Sequence, residues 1–90
     1  MEIFWSEPAE KDVSVIVEYI ARDNVAAALE LDDLLRNAAD SLAAFPEKGK
    51  PGRVPGTREL VAHKNYIIVY TVFASAVYTV AVAHAARQWP

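Results

Sequence analysis

Three basic side chains carry most of the chemical potential of this chain: Arg58 in the stretch TRELVAH, and His84 and Arg87 in the closing stretch HAARQWP. An imidazole can exchange a proton near neutral pH, and a guanidinium offers a fixed fork of donors to negative charge. If both stretches end in strands of one sheet, the three groups can meet beside its central strand, as a catalytic set or as a patch for a partner. The plainer alternative is that Arg58 and Arg87 pair with Glu59 or cap carbonyls at strand ends. Exposed ion pairs of that kind stabilise little.

Other chemistries find less support. Ser6, Ser14, Ser41 and Ser75 lack a neighbouring histidine and a GxSxG elbow, which argues against a serine triad. There is no cysteine, so disulfides, thiolate metal sites and cysteine nucleophiles are excluded. His63 and His84 have only Glu59 as a nearby acid, too thin a ligand set for a metal. GKPGRVPG carries glycines and bases without the spacing of a phosphate-binding loop, and no helix follows it. No cofactor is implied.

Ninety residues, 53% of them hydrophobic, fit a single domain over residues 1–90 with one modest core. The N-terminus carries early acids and no basic segment before an apolar run, unlike a signal peptide, and no apolar run is long enough to span a membrane. A small cytoplasmic protein is expected. Its charge is divided. Residues 1–45 hold three bases and ten acids, whereas residues 46–90 hold six bases and two acids, so a net −3 conceals −7 followed by +4. Such asymmetry predicts two faces with different partners.

The elements that must position the basic groups follow from periodicity. EIFW reads as a first strand. Ser6 caps a helix whose first turn holds Glu7 and Pro8, and Ala9, Val13, Ile16, Val17 and Ile20 mark its buried face. Asn24 caps a second helix with Leu31, Leu35, Ala38, Leu42 and Phe45 on one stripe, stopped by Pro46. The short connection predicts an antiparallel helical hairpin. Residues 46–56 hold three prolines and all three glycines and form a turn-rich loop. TRELVAH, NYIIVYTV and AVYTVAVAH follow as strands, the last two joined through FAS. NYIIVYTV, apolar on both faces, should be central. The fold class is α+β: a two-helix hairpin packed on one face of a small, mostly antiparallel twisted sheet in the order β-α-α-β-β-β.

WSEPAEKDVSVIVEYIARDN, the AAFP and GRVPGTREL of the middle, the YIIVY strand and the HAARQWP tail together resemble the RelE/ParE superfamily of toxins from bacterial type II toxin–antitoxin modules, its ParE branch in particular. The likeness covers nearly the whole chain and implies the same hairpin-on-sheet fold. It implies a toxin silenced by a cognate antitoxin and, for the ParE branch, inhibition of DNA gyrase by binding. It implies neither sequence-specific nucleic-acid contact nor a membrane. RelE-type members are instead ribosome-dependent ribonucleases, and a relic that binds antitoxin but poisons nothing is a third possibility. Aligning YIIVY with the RelE-type pattern sets Ile67 where that branch has a catalytic arginine. Arg58 and Leu60 fall where it has lysines, Arg87 matches its last-strand arginine, and its C-terminal tyrosine has no counterpart before Pro90. His84 could act as a base, but no partner acid is visible. The resemblance therefore favours a non-enzymatic toxin. Arg58, His84, Arg87 and Trp89 are the candidate target contacts, Trp89 having the alternative of packing back on the sheet. Tyr66, Tyr70 and Tyr78, on strands that one helical layer need not cover, are the candidate antitoxin contacts.

Overall fold

The computed structural model describes residues 1–87 and 89–90. Strand β1 (Glu2–Trp5) leads into α1 (Glu7–Ala21) and α2 (Val25–Asp40), and a single 3-10 turn (Ser41–Ala43) closes the helical part. Four strands follow: β2 (Lys50–Pro51), β3 (Arg58–His63), β4 (Tyr66–Phe73) and β5 (Ala76–His84). They form one five-stranded sheet in the order β1-β5-β4-β3-β2, antiparallel except for the parallel pair β1–β5. The α+β class, the helical hairpin and the central place of NYIIVYTV agree with the sequence expectation.

Both helices start as their caps dictate. Ser6 Oγ accepts the Ala9 N–H at 3.2 Å and Asn24 Oδ1 accepts that of Ala27 at 3.0 Å, each satisfying an orphan first-turn donor. The second helix ends earlier than expected. Its regular part stops at Asp40, and the following turn buries Leu42 but leaves Phe45 66% exposed, outside the stripe. Pro46 stands well beyond that end and terminates nothing.

The core lies between the hairpin and one face of the sheet. Val13, Leu31, Leu35, Ala39 and Leu42 meet Leu60, Ile68, Tyr70, Val77 and Val82. On β4 the alternate residues Ile67 and Val69 point the other way and gather Ala81 into a second, smaller cluster. The strand is apolar on both faces because each face has its own cover.

Where β1 runs out, α1 takes over its hydrogen bonding. β1 is in register with Ala76–Thr79, and the Ser6 N–H reaches Thr79 O at 3.2 Å. Beyond that, β5 would present a bare edge. Ser6 Oγ donates to Val80 O at 3.3 Å, and Asp12 Oδ2 accepts the Val82 N–H at 2.9 Å. A bulge at this level, where Val69 faces Ala81 but Tyr70 faces Thr79, leaves Val80 as the extra residue and bends β5 over the sheet.

Arg36 ties three elements. Its guanidinium lies 4.4 Å from the Trp5 ring on β1, pairs with Glu10 of α1, and binds Asp32 of its own helix at 3.1 Å. Partial burial works to lower its pKa, but the hydrogen bonds to the two carboxylates outweigh it and hold the group above its ordinary value.

Candidate functional site

Tyr66, the first residue of β4, pairs on one side with His63 of β3 and on the other with His84 of β5. The three rings form a row across adjacent strands, with centroids 5.8 Å apart for His63–Tyr66 and 5.5 Å for Tyr66–His84. Both imidazoles are held in the same way. Nδ1 of His63 accepts the Asn65 N–H at 3.0 Å, and Nδ1 of His84 accepts the Ala86 N–H at 3.1 Å. In a neutral imidazole one nitrogen accepts and the other donates. An acceptor Nδ1 therefore puts the proton of each histidine on Nε2, on the far side of the ring from its turn.

The two turns are joined. Ala85 N donates to Asn65 O at 2.7 Å, and Arg87 N donates to His84 O at 2.9 Å. Lys64 and Arg87, both exposed, thus sit on neighbouring turns at the rim of the aromatic row. This end of the sheet holds two cations, two imidazole donors and a phenol. Among the described residues no carboxylate forms an ion pair with any of them.

The expected meeting of Arg58 with His84 does not occur. Arg58 is level with Tyr70 and Thr79, whereas His84 is level with Tyr66. Four residues of β4 separate the two levels, about 13 Å at ordinary strand rise. The Arg58 guanidinium is also engaged, donating to Gly49 O at 2.7 Å and Glu47 O at 3.4 Å. It caps loop carbonyls, one of the plainer roles open to it, and does not pair with Glu59. His63 of β3, and not Arg58, stands beside Tyr66 at the level of His84. A two-residue turn at Lys64–Asn65 sets His63 opposite Tyr66, and the polar pair KN between two strand-like runs is the signal for it in the sequence.

Trp89 is half-buried and packs on Ile67, Val69 and Ala81, so its ring covers the second cluster. Its neighbour Gln88 in the HAARQWP motif lies outside the described residues.

The three tyrosines separate. Tyr70 is fully buried, donates its hydroxyl to Pro46 O at 2.7 Å and accepts the Gly49 N–H at 2.9 Å. It is a core residue and is withdrawn as an antitoxin contact. Tyr66 is half-buried beside the main core. Tyr78 is 38% exposed on the face away from the helices and stacks on Phe4 with centroids 5.3 Å apart. Among the described residues no three metal-ligating side chains are grouped.

Residues 3–89 match the family model for the ParE toxin of the type II toxin–antitoxin system, parDE. The chain is 39% identical over 89 residues to the "Putative toxin Y4kP" of Sinorhizobium fredii, covering 98% of this chain and 92% of that one. It is 37% identical over 86 residues to the "Toxin RelE2" of Caulobacter vibrioides, with 96% and 97% covered. A solved structure titled "Chromosomal ParDE TA system from P. aeruginosa" superposes with a TM-score of 0.82 at 20% identity, over 93% of this chain and 95% of that one, a likeness of fold. The chain belongs to the ParE toxin family and is a toxin of a type II toxin–antitoxin system, with an antitoxin as its partner.

Proposed function

We propose that this toxin acts by binding DNA gyrase, catalyses nothing itself, and is silenced in the cytoplasm by an antitoxin segment laid along the helical hairpin and over the sheet. The observation that carries the non-enzymatic part is Ile67. It stands where RelE-type nucleases carry a catalytic arginine, and here it is 8% exposed, packed with Val69 and Ala81 beneath Trp89. In-line attack on a phosphodiester needs cations at the reacting phosphate. An apolar cluster at that position supplies none, and Arg58 is held by loop carbonyls at another level of the sheet.

The antitoxin part is supported by the outer face of the hairpin. Val15 and Tyr19 on α1, with Val25 and Leu29 on α2, are each more than half exposed. They lie in the strongly acidic half of the chain. A segment with apolar anchors at helical spacing and basic residues between them complements that surface. No helix among the described residues is long and apolar enough to cross a membrane.

The similarity to a protein named RelE2 favours one competing activity, ribosome-dependent cleavage of messages. Expression of the toxin in growing cells, with plasmid supercoiling and message integrity followed together, separates the two. Loss of supercoiling with uncut messages is expected. Messages cut on the ribosome with supercoiling unchanged would establish the nuclease.

A further inference from the structure

We infer that His63, Tyr66 and His84, with Lys64 and Arg87 at their rim, form a binding site for the phosphate backbone of a single nucleic-acid strand. The inference rests on the gyrase reading only for its biological setting. It assigns ligand chemistry to one end of the sheet.

The geometry points there in three steps. The two histidines are held by identical side chain–backbone contacts, Nδ1 to the N–H two residues on, at 3.0 and 3.1 Å. In its neutral form each is thereby an Nε2–H donor, and Tyr66, whose ring stands between the two imidazoles, carries a hydroxyl as a third donor group.

Next, the row is long. His63 and His84 are on strands either side of β4, so they are separated by two strand spacings, about 10 Å. An isolated phosphate can reach two neighbouring members at hydrogen-bond distance but not all three. A chain of phosphoryl groups can engage the whole row, and a nucleic-acid strand carries one negative charge per nucleotide along its length.

Finally, the cations sit where such a chain would pass. Lys64 and Arg87 are exposed on two turns joined by the bond from Ala85 N to Asn65 O at 2.7 Å. Of the helix acids, Asp12 of α1 is bound to the Val82 N–H, while Glu30 and Asp33 of α2 line a groove together with Lys48 and Ala62. Local chemistry thus favours an anion in a chain whose net charge is −3. A backbone contact of this kind carries no sequence preference.

The test is a titration of the purified toxin with a short single-stranded DNA oligonucleotide at low salt, read by NMR of the histidine ring nitrogens and the tyrosine ring. Saturable shifts at His63, Tyr66 and His84 are expected, with weaker binding in Tyr66→Phe, which keeps the ring and its packing. Lys64→Ala and Arg87→Ala should each lower the slope of log affinity against log salt by about 1. Inorganic phosphate is the second probe, and it should bind far more weakly than the oligonucleotide. Shifts no larger than those from chloride at matched ionic strength would overturn the site. Inorganic phosphate binding as tightly as the oligonucleotide would overturn the strand as its ligand. Toxin and DNA alone are present, so failure here leaves gyrase inhibition standing, and a failed gyrase assay leaves this titration unaffected.

Discussion

The phenol of Tyr70 accepts the backbone N–H of Gly49 at 2.9 Å while donating to Pro46 O at 2.7 Å. One buried side chain on the central strand thus anchors the loop that follows the helical part. Gly49 is buried against it: a Cβ there would lie 2.7 Å from the hydroxyl oxygen. Arg58 completes the clamp through Gly49 O at 2.7 Å.

Tyr70→Phe leaves the Gly49 N–H buried without its acceptor. It should lower stability by about 1–3 kcal/mol, measured by chemical denaturation. Gly49→Ala should destabilise by forcing the same contact apart. Tyr70→Phe with unchanged stability would mean that the loop is held by Arg58 alone.

Asp12→Ala tests the handover from β1 to α1. The Val82 N–H loses its acceptor, half-sheltered under the helix. A loss of about 1–2 kcal/mol is expected, together with faster amide exchange at Val82. Exchange unchanged at that amide would show that water serves it equally well.

The β4–β5 hairpin turns through Ala74 and Ser75, whose φ values are 51° and 63°. Residues with a Cβ are disfavoured in this region, and two-residue turns of this kind prefer Asn-Gly. Ala74→Asn with Ser75→Gly should stabilise the protein by about 1 kcal/mol, which for a chain of this size raises Tm by roughly 4–8 °C. Calorimetry on the double variant checks it.

Arg87 and Trp89 should now part company. Arg87 is exposed, so Arg87→Ala should change stability by no more than about 0.5 kcal/mol and weaken growth inhibition. Trp89 covers Ile67, Val69 and Ala81. Trp89→Ala should therefore cost about 1–3 kcal/mol, and its effect on toxicity is interpretable only alongside a denaturation curve.

The elements were legible in the sequence because their signals are local. Ser6 and Asn24 announce their helices, and the continuous apolar run of β4 announces a strand covered on both faces. Side-chain direction was legible in part. Tyr66, Ile68 and Tyr70 share a face by strict alternation, so the burial of Tyr70 with the core was available from spacing alone. Tyr78 was not, because the bulge at Val80 reverses the alternation midway along β5 and no residue there marks it. The apolar stripe overruns the end of α2 toward Phe45 because it continues through Leu42 into a turn that is no longer α-helical. Of the candidate target contacts, His84 and Arg87 do stand together, since only two residues separate them and the Arg87 N–H donates to His84 O. Arg58 stands at the opposite end of the sheet, because its place depends on the β3–β4 register, which the turn at Lys64–Asn65 and the irregularity between Val61 and His63 set together. His63 and Lys64 come to the His84 end of the sheet for the same reason.

The most direct measurement for the central claim is a supercoiling assay with purified gyrase, relaxed plasmid and toxin, run beside a translating ribosome system containing the same toxin. Inhibited supercoiling with accumulated cleaved plasmid, relieved by the antitoxin, and intact message on the ribosomes is the predicted result. Unimpaired supercoiling with message cut in the ribosomal A site would contradict it.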